Sequence, residues 1–282
     1  MPHAPVSLGW FSLCLRAQQF EETVAWYRAL GFTDVGGNPE HGYVVLANGP
    51  TAITVMGFLK ANLLCFRGAD VDALSRELGE RGLAAYHRSG HDPSSPDAEQ
   101  VPGPRHYDAS AWPAEFHTDG DGQPLAVTGA GDFLLDDPEG NALYFDSVPV
   151  ERVRFDAGER FGSAEHTGEL APGQPDLGRF VVQLHAKDPA TSQAFYEQLG
   201  LRVTKQLPEV GYVELSNDLP VPFTIGLNSK TAPSDVLYFD CPDLAAIPAA
   251  AAVAESHPDG ASVAMLRDPE GNLLYFRQGP RA

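Results

Sequence analysis

The chain repeats itself. Ser12 to Leu46 lies over Val181 to Leu215 at a constant offset of 169 residues, as from Tyr27 to Tyr196, with no gap. Leu15/Leu184, Ala25/Ala194, Tyr27/Tyr196, Leu30/Leu199 and Gly31/Gly200 match, and so do Pro39/Pro208, Gly42/Gly211, Tyr43/Tyr212 and Leu46/Leu215. A long match at one offset is an internal duplication, so a fold for one half must serve the other. Each half also ends on the same phrase. Asp137-Pro138-Glu139-Gly140-Asn141-Ala142-Leu143-Tyr144-Phe145 closes the first, and Asp268-Pro269-Glu270-Gly271-Asn272-Leu273-Leu274-Tyr275-Phe276 closes the second. Here the offset is 131, as from Asp137 to Asp268, so the first half carries about 38 extra residues before its last strand.

Within each half the apolar pattern changes period. Phe11–Arg16 and Phe180–His185 read as strands. Phe20, Val24, Tyr27 and Leu30 then give a helical stripe, as do Phe195, Tyr196 and Leu199. Asp188 and Pro189 suit the N-cap and first turn of the second helix, and Gly31 and Gly200 suit left-handed caps. Strands follow at 42–46, 51–56, 211–215 and 223–227. A second unit of the same order comes next in each half. Strand 63–66, helix 70–78 and strands 132–135 and 143–145 make one. Strand 236–239, a helix over about 244–254, and strands 262–266 and 273–276 make the other. Pro248 must fall near the start of that last helix or bend it. Residues 87–130 are proline-rich and aperiodic and read as a long insert; a loop of that length is usually functional or disordered. Residues 150–178, rich in glycine and proline, read as a linker. The expected domains are therefore 1–149 and 179–282.

A chain of 282 residues is long enough for two cores. No apolar run reaches the roughly 18 residues of a membrane span, and Met1-Pro2-His3-Ala4 has neither the basic region nor the apolar core of a secretory signal. Cys14, Cys65 and Cys241 make no disulfide framework, which predicts a reducing, cytoplasmic setting. A net charge of −19 argues against nucleic acid and anionic membranes as partners. It suits a cationic small ligand, or serves solubility alone.

The spaced motifs Ala25–Phe32 (AWYRALGF), Ala194–Leu201 (AFYEQLGL), Gly36–Gly49 (GGNPEHGYVVLANG) and the two DPEGN turns resemble the vicinal oxygen chelate superfamily, the glyoxalase, bleomycin-resistance and extradiol-dioxygenase group. The resemblance covers nearly all the chain except insert and linker. It implies an α+β fold of four βαβββ modules, paired into two glyoxalase/bleomycin-resistance-like domains that each enclose a cup. Metal enzymes of the group hold a divalent ion through His or Gln on a first strand and Glu on a last strand. Those positions fall here on Ser12 and Val181, near Leu63 and Val236, and on Tyr144 and Tyr275. Valine and leucine offer no lone pair, so no metal site and no resident cofactor are expected.

Residues two apart on a strand share a face. The candidate ligand-binding residues are therefore Ser12, Cys14 and Arg16, Gln183 and His185, and the matching Cys65, Tyr238, Tyr144 and Tyr275, with Trp112 of the insert. Each has a second reading. Cys14 and Cys65 can approach across the first cup or be small buried hydrophobes. His185 can bind, move a proton, or be structural. Trp112, Phe116 and Tyr107 can close the cup as a lid or only anchor the insert. His87, His91, His106 and His117 can be solvated loop residues. The expected function is metal-independent binding of a small organic molecule, aromatic or cationic, by a monomer or homodimer. The alternative is a lyase, isomerase or dioxygenase of the group with a non-standard or absent metal site.

Overall fold

The computed structural model describes residues 6–90, 92–108, 114–125, 128–162, 168–217, 223–230, 235–257 and 260–279. The first module runs β1 (Trp10–Arg16), α1 (Phe20–Leu30), β2 (Thr33–Asn38), β3 (Tyr43–Asn48) and β4 (Thr51–Met56). The second runs β5 (Leu63–Arg67), α2 (Val71–Glu80), the short β6 (Tyr86–Arg88), β7 (Gln100–Pro102) and β8 (Arg105–His106), then β9 (Gly131–Asp136) and β10 (Ala142–Ser147). Helix α3 (Pro149–Asp156) follows. The third module is β11 (Arg179–His185), α4 (Pro189–Gln198), β12 (Arg202–Leu207), β13 (Tyr212–Ser216) and β14 (Thr224–Asn228). The fourth is β15 (Val236–Asp240), α5 (Pro248–Ala251), β16 (Glu255–Ser256), β17 (Ser262–Arg267) and β18 (Leu273–Gln278). No helix among the described residues is long and apolar enough to cross a membrane.

Each half is one sheet. The first has the order β2-β3-β4-β1-β5-β10-β9-β6-β7, with β8 also on β9; the second has β12-β13-β14-β11-β15-β18-β17-β16. The modules join through their first strands, β1 antiparallel to β5 and β11 antiparallel to β15. Alternate residues of these strands part company. Phe11, Leu13, Leu15, Val182 and Leu184 enter one apolar core that spans both halves. There Phe11 stacks on Phe223 with ring centroids 4.8 Å apart. Ser12 and Cys14, on the other face of β1, are left to the cup.

The doubled DPEGN phrase clasps the halves together. In the β9–β10 turn, Asp137 Oδ1 accepts the backbone N–H groups of Glu139 and Asn141 at 2.9 and 2.8 Å. Its Oδ2 accepts the Tyr196 hydroxyl from α4, at 2.8 Å. The β17–β18 turn mirrors this: Asp268 accepts the N–H groups of Glu270 and Asn272, and its Oδ2 accepts the Tyr27 hydroxyl from α1 at 3.0 Å. Gly140 and Gly271 take the positive φ, 89° and 87°, that each turn needs. The glutamates reach the opposite helices. Glu270 accepts from Gln19 N at 2.6 Å and Glu139 from Lys187 N at 2.7 Å, which sets a carboxylate at the N-terminus of α1 and of α4.

Two expectations change. The helix expected over 244–254 is a 3₁₀ turn, Leu244–Ala246, and then the single turn α5. Pro248 drives Ile247 to an extended φ of −108° and ψ of 94°, so no helix passes through it. The segment 150–178 is not linker from its start: α3 occupies 149–156, with Pro149 in its first turn.

Candidate functional site

The cup of the first half holds a cavity of about 400 Å³. Its wall is mostly apolar: Cys14 from β1, Met56 from β4, Leu63 from β5, Phe58 and Leu59 from the β4–β5 loop, and Val148. Tyr43 from β3 adds a ring. The insert supplies Asp92, Pro93 and Phe116. One end is polar, formed by Arg67, Tyr144 and Asp146.

That polar end is a connected network. Arg67 lies two residues after Cys65 on β5, and Asp146 two after Tyr144 on β10, so strand alternation turns both toward the cup. The Arg67 guanidinium meets Asp146 at 2.9 Å and Glu151 of α3 at 3.0 Å. Tyr107 donates to Asp146 at 2.6 Å, and its hydroxyl lies 3.3 Å from that of Tyr144. Arg105, whose guanidinium lies 5.9 Å from the Tyr107 ring centre, binds Asp132 of β9 at 2.9 Å. Burial raises Glu151 above the ordinary carboxylate range, Arg67 pulling the other way. Burial and the charge of Asp146 raise Asp132 despite Arg105. Burial and the neighbouring carboxylates push the Tyr144 phenol well above its usual range.

The expected site residues separate in place. Ser12 is fully buried and shares a hydrogen bond with Thr54 at 2.8 Å. Cys14 lines the cavity, and Cys65 lies behind it, fully buried. A hydrogen bond with Cys14 and burial push the Cys65 thiol well up. Tyr144 lines the cavity. Arg16 leaves the cup for the domain clasp, pairing with Glu270 at 3.1 Å. Trp112 lies outside the described residues. Among the insert histidines, His87 Nδ1 sits 3.0 Å from Gly103 O and His106 Nδ1 sits 3.6 Å from Asp72, so those two do not converge; His91 is outside the described residues.

Gln183, His185, Tyr238 and Tyr275 belong to the second half. Its cup is built differently at the matching positions. Gly226 stands opposite Gln183 as Thr54 stands opposite Cys14. The Tyr212 hydroxyl and Gln183 Cγ sit against it, 2.9 and 3.1 Å from where a Cβ would be. Tyr212 donates to Glu214 at 2.7 Å, and Glu214 is gripped by Arg179 at 2.9 Å. Burial alone would raise Glu214, yet the bonds from Arg179 and Tyr212 hold it below the ordinary range. Tyr238 stacks on Tyr275 at 5.6 Å. The His185 backbone N–H donates to Asp235 at 2.9 Å.

A metal can be tested against the donors. Register sets Ser12, Cys65 and Tyr144 side by side across β1, β5 and β10, and Val181, Tyr238 and Tyr275 across β11, β15 and β18. The first row offers a hydroxyl already bonded, a thiol and a phenol; the second offers a valine and two phenols. Neither row suits a divalent ion, which takes imidazole, carboxylate or thiolate. No group of three or more His, Cys, Asp or Glu among the described residues can hold one.

Two βαβββ modules that share a sheet around a cup, twice in one chain, define the vicinal oxygen chelate fold, and this chain has it. Solved structures agree. A catechol 2,3-dioxygenase is similar at a TM-score of 0.52 and 16% identity, over 99% of this chain and 90% of that one. The Mn(II)-bound glyoxalase from Novosphingobium aromaticivorans gives 0.53 and 14%, over 95% and 80%. A 2,3-dioxygenase from Pseudomonas sp. KL28 gives 0.53 and 15%, over 100% and 94%. At such identities the likeness is one of fold. No protein-family model matches the chain, and no curated protein does.

Proposed function

We propose that the chain binds a small organic molecule in the cup of its first domain, with protein side chains alone as the anchors. The observation that carries this is the cavity of about 400 Å³ with apolar walls and one polar end. That volume lies inside the range of small-molecule sites, roughly 300–1,000 Å³, and the mix of wall and anchor is typical of them. The donor rows at the family's metal positions support holding the molecule without an ion. The matching positions of the second half, filled by Tyr212 and Gln183 over Gly226, support a structural role there.

An enzymatic reading has one observation on its side. Glu151 beside Arg67 and Asp146, and Asp132 beside Tyr107, are held above the ordinary carboxylate range, the sort of shift that marks proton-transfer sites and buried ion networks alike. The similar structures are dioxygenases and a glyoxalase, which keeps a lyase, isomerase or dioxygenase as the second reading.

Titration with 1-naphthylmethanol, a neutral aromatic probe, tests binding. One saturable site per chain is expected. Phe116→Ala, which removes a ring from the insert side of the cup, should weaken it about threefold to tenfold. Absence of saturable binding would sink the proposal.

A further inference from the structure

We infer that the ligand of this cup carries a cationic nitrogen, held by the carboxylate of Asp92. The inference rests on the small-molecule reading above and names the ligand's chemical class.

Asp92 lies in the insert and lines the cavity. Its two oxygens are used unequally. Oδ1 accepts both the Ser94 N–H, at 2.9 Å, and the Ser94 hydroxyl, at 2.6 Å. Ser94 Oγ in turn accepts Lys60 N at 2.7 Å, and Arg88 Nε donates to Pro93 O at 3.1 Å. The residue is thus pinned from both sides to the rim of the cup. Oδ2, by contrast, is buried and has no hydrogen-bond partner. A carboxylate oxygen taken out of water with no donor is costly unless something supplies one. Asp92 lines a cavity sized for a ligand, and its orphan oxygen lacks a donor of the kind a ligand can supply.

The rest of the cup decides the sign of that ligand. Among the described residues lining the cavity Arg67 is the cation, and its guanidinium is committed to Asp146 and Glu151. It is not free to draw in an anion. Three carboxylates, Asp92, Asp146 and Glu151, stand around that one guanidinium. An ammonium brings both the missing donor and the missing charge. Tyr43, Phe58 and Phe116 on the same wall suit the apolar body behind it, and their faces favour a cation nearby. The fitting class is an amphiphilic amine: an apolar, ring-bearing body with one protonated nitrogen.

Three probes of nearly one shape test this by calorimetry at neutral pH: 1-naphthylmethylamine, 1-naphthylmethanol and 1-naphthoate. The amine should bind about tenfold or more tighter than the alcohol, the worth of a charge-assisted bond away from bulk water. Asp92→Asn should bring the amine down to about the level of the alcohol, with the alcohol still bound saturably. Asparagine keeps the Oδ1 acceptor that Ser94 uses, so the alcohol reports whether the cup is intact. Equal affinities for amine and alcohol in the native protein would leave the cup standing and overturn the cation. So would tightest binding of naphthoate, or an amine preference that survives Asp92→Asn. Loss of alcohol binding in that variant would assign Asp92 to holding the cup's shape, against the proposal. If none of the three binds, the cup reading falls and the inference with it.

Discussion

Arg67 shows how much of this site is ordinary electrostatics under burial. Its side chain is 15% exposed, and the carboxylates it pairs with, Asp146 and Glu151, are 8% and 15% exposed. Removing the guanidinium would leave two largely buried acids facing each other. Breaking such a group is far worse than never having it. Arg67→Leu should therefore lower unfolding stability by about 3 kcal/mol or more in urea titration; a loss under about 1 kcal/mol would show the network to be solvated and the polar end of the cup to be open to water. Arg67 and Asp146 were within reach of the sequence, since each lies two residues beyond a candidate, Cys65 or Tyr144, on the same strand face. Asp92 was not. Its neighbours in the cup come from strands far away in the chain, and nothing local in an aperiodic, proline-rich stretch marks one acid as the orphan. Arg16 was read by the same alternation as a cup residue, but a long side chain at a strand end is free to turn to the nearer carboxylate, and Glu270 of the other half takes it.

At the scale of elements, the doubled motif is a clasp. Each DPEGN turn folds around its aspartate, offers that aspartate to a tyrosine of the opposite helix, and sets its glutamate at that helix's N-terminus. The repeated tyrosine and the repeated turn are thus two ends of one bond, made twice. Burial and the charge of Asp268 push the Tyr27 phenol well up, as burial and Asp137 do for Tyr196. Tyr27→Phe and Tyr196→Phe should each lower stability by about 1–2 kcal/mol, since each aspartate keeps its turn bonds, and the losses should add in the double variant. The readout is the urea midpoint; two neutral substitutions would show the halves to be joined by their apolar core alone. The sequence showed the main helices and the strands flanking the cup because their patterns are apolar on one face. It did not show β2 and β12, edge strands with hardly a buried residue between them. In the insert, β6, β7 and β8 extend the sheet with very short strands that leave no period to read.

For the whole molecule, duplication supplied two equal frames and side chains made them unequal. Where the first cup has Thr54 opposite Cys14, and Cys65 beside Tyr144, the second has Gly226 beneath Tyr212, and Tyr238 stacked on Tyr275. The frame was legible in the sequence because it is written twice; the difference between the cups was not, because it depends on which strand neighbours fill the space. The binding proposed for the first cup needs protein side chains alone and no ion. The most direct measurement is titration of 1-naphthylmethanol into protein dialysed against a strong chelator, with elemental analysis of the same sample. Affinity should be undiminished in protein carrying less than stoichiometric transition metal. Binding that vanishes with the metal and returns with one equivalent of Mn(II), Fe(II), Ni(II) or Zn(II) would contradict it.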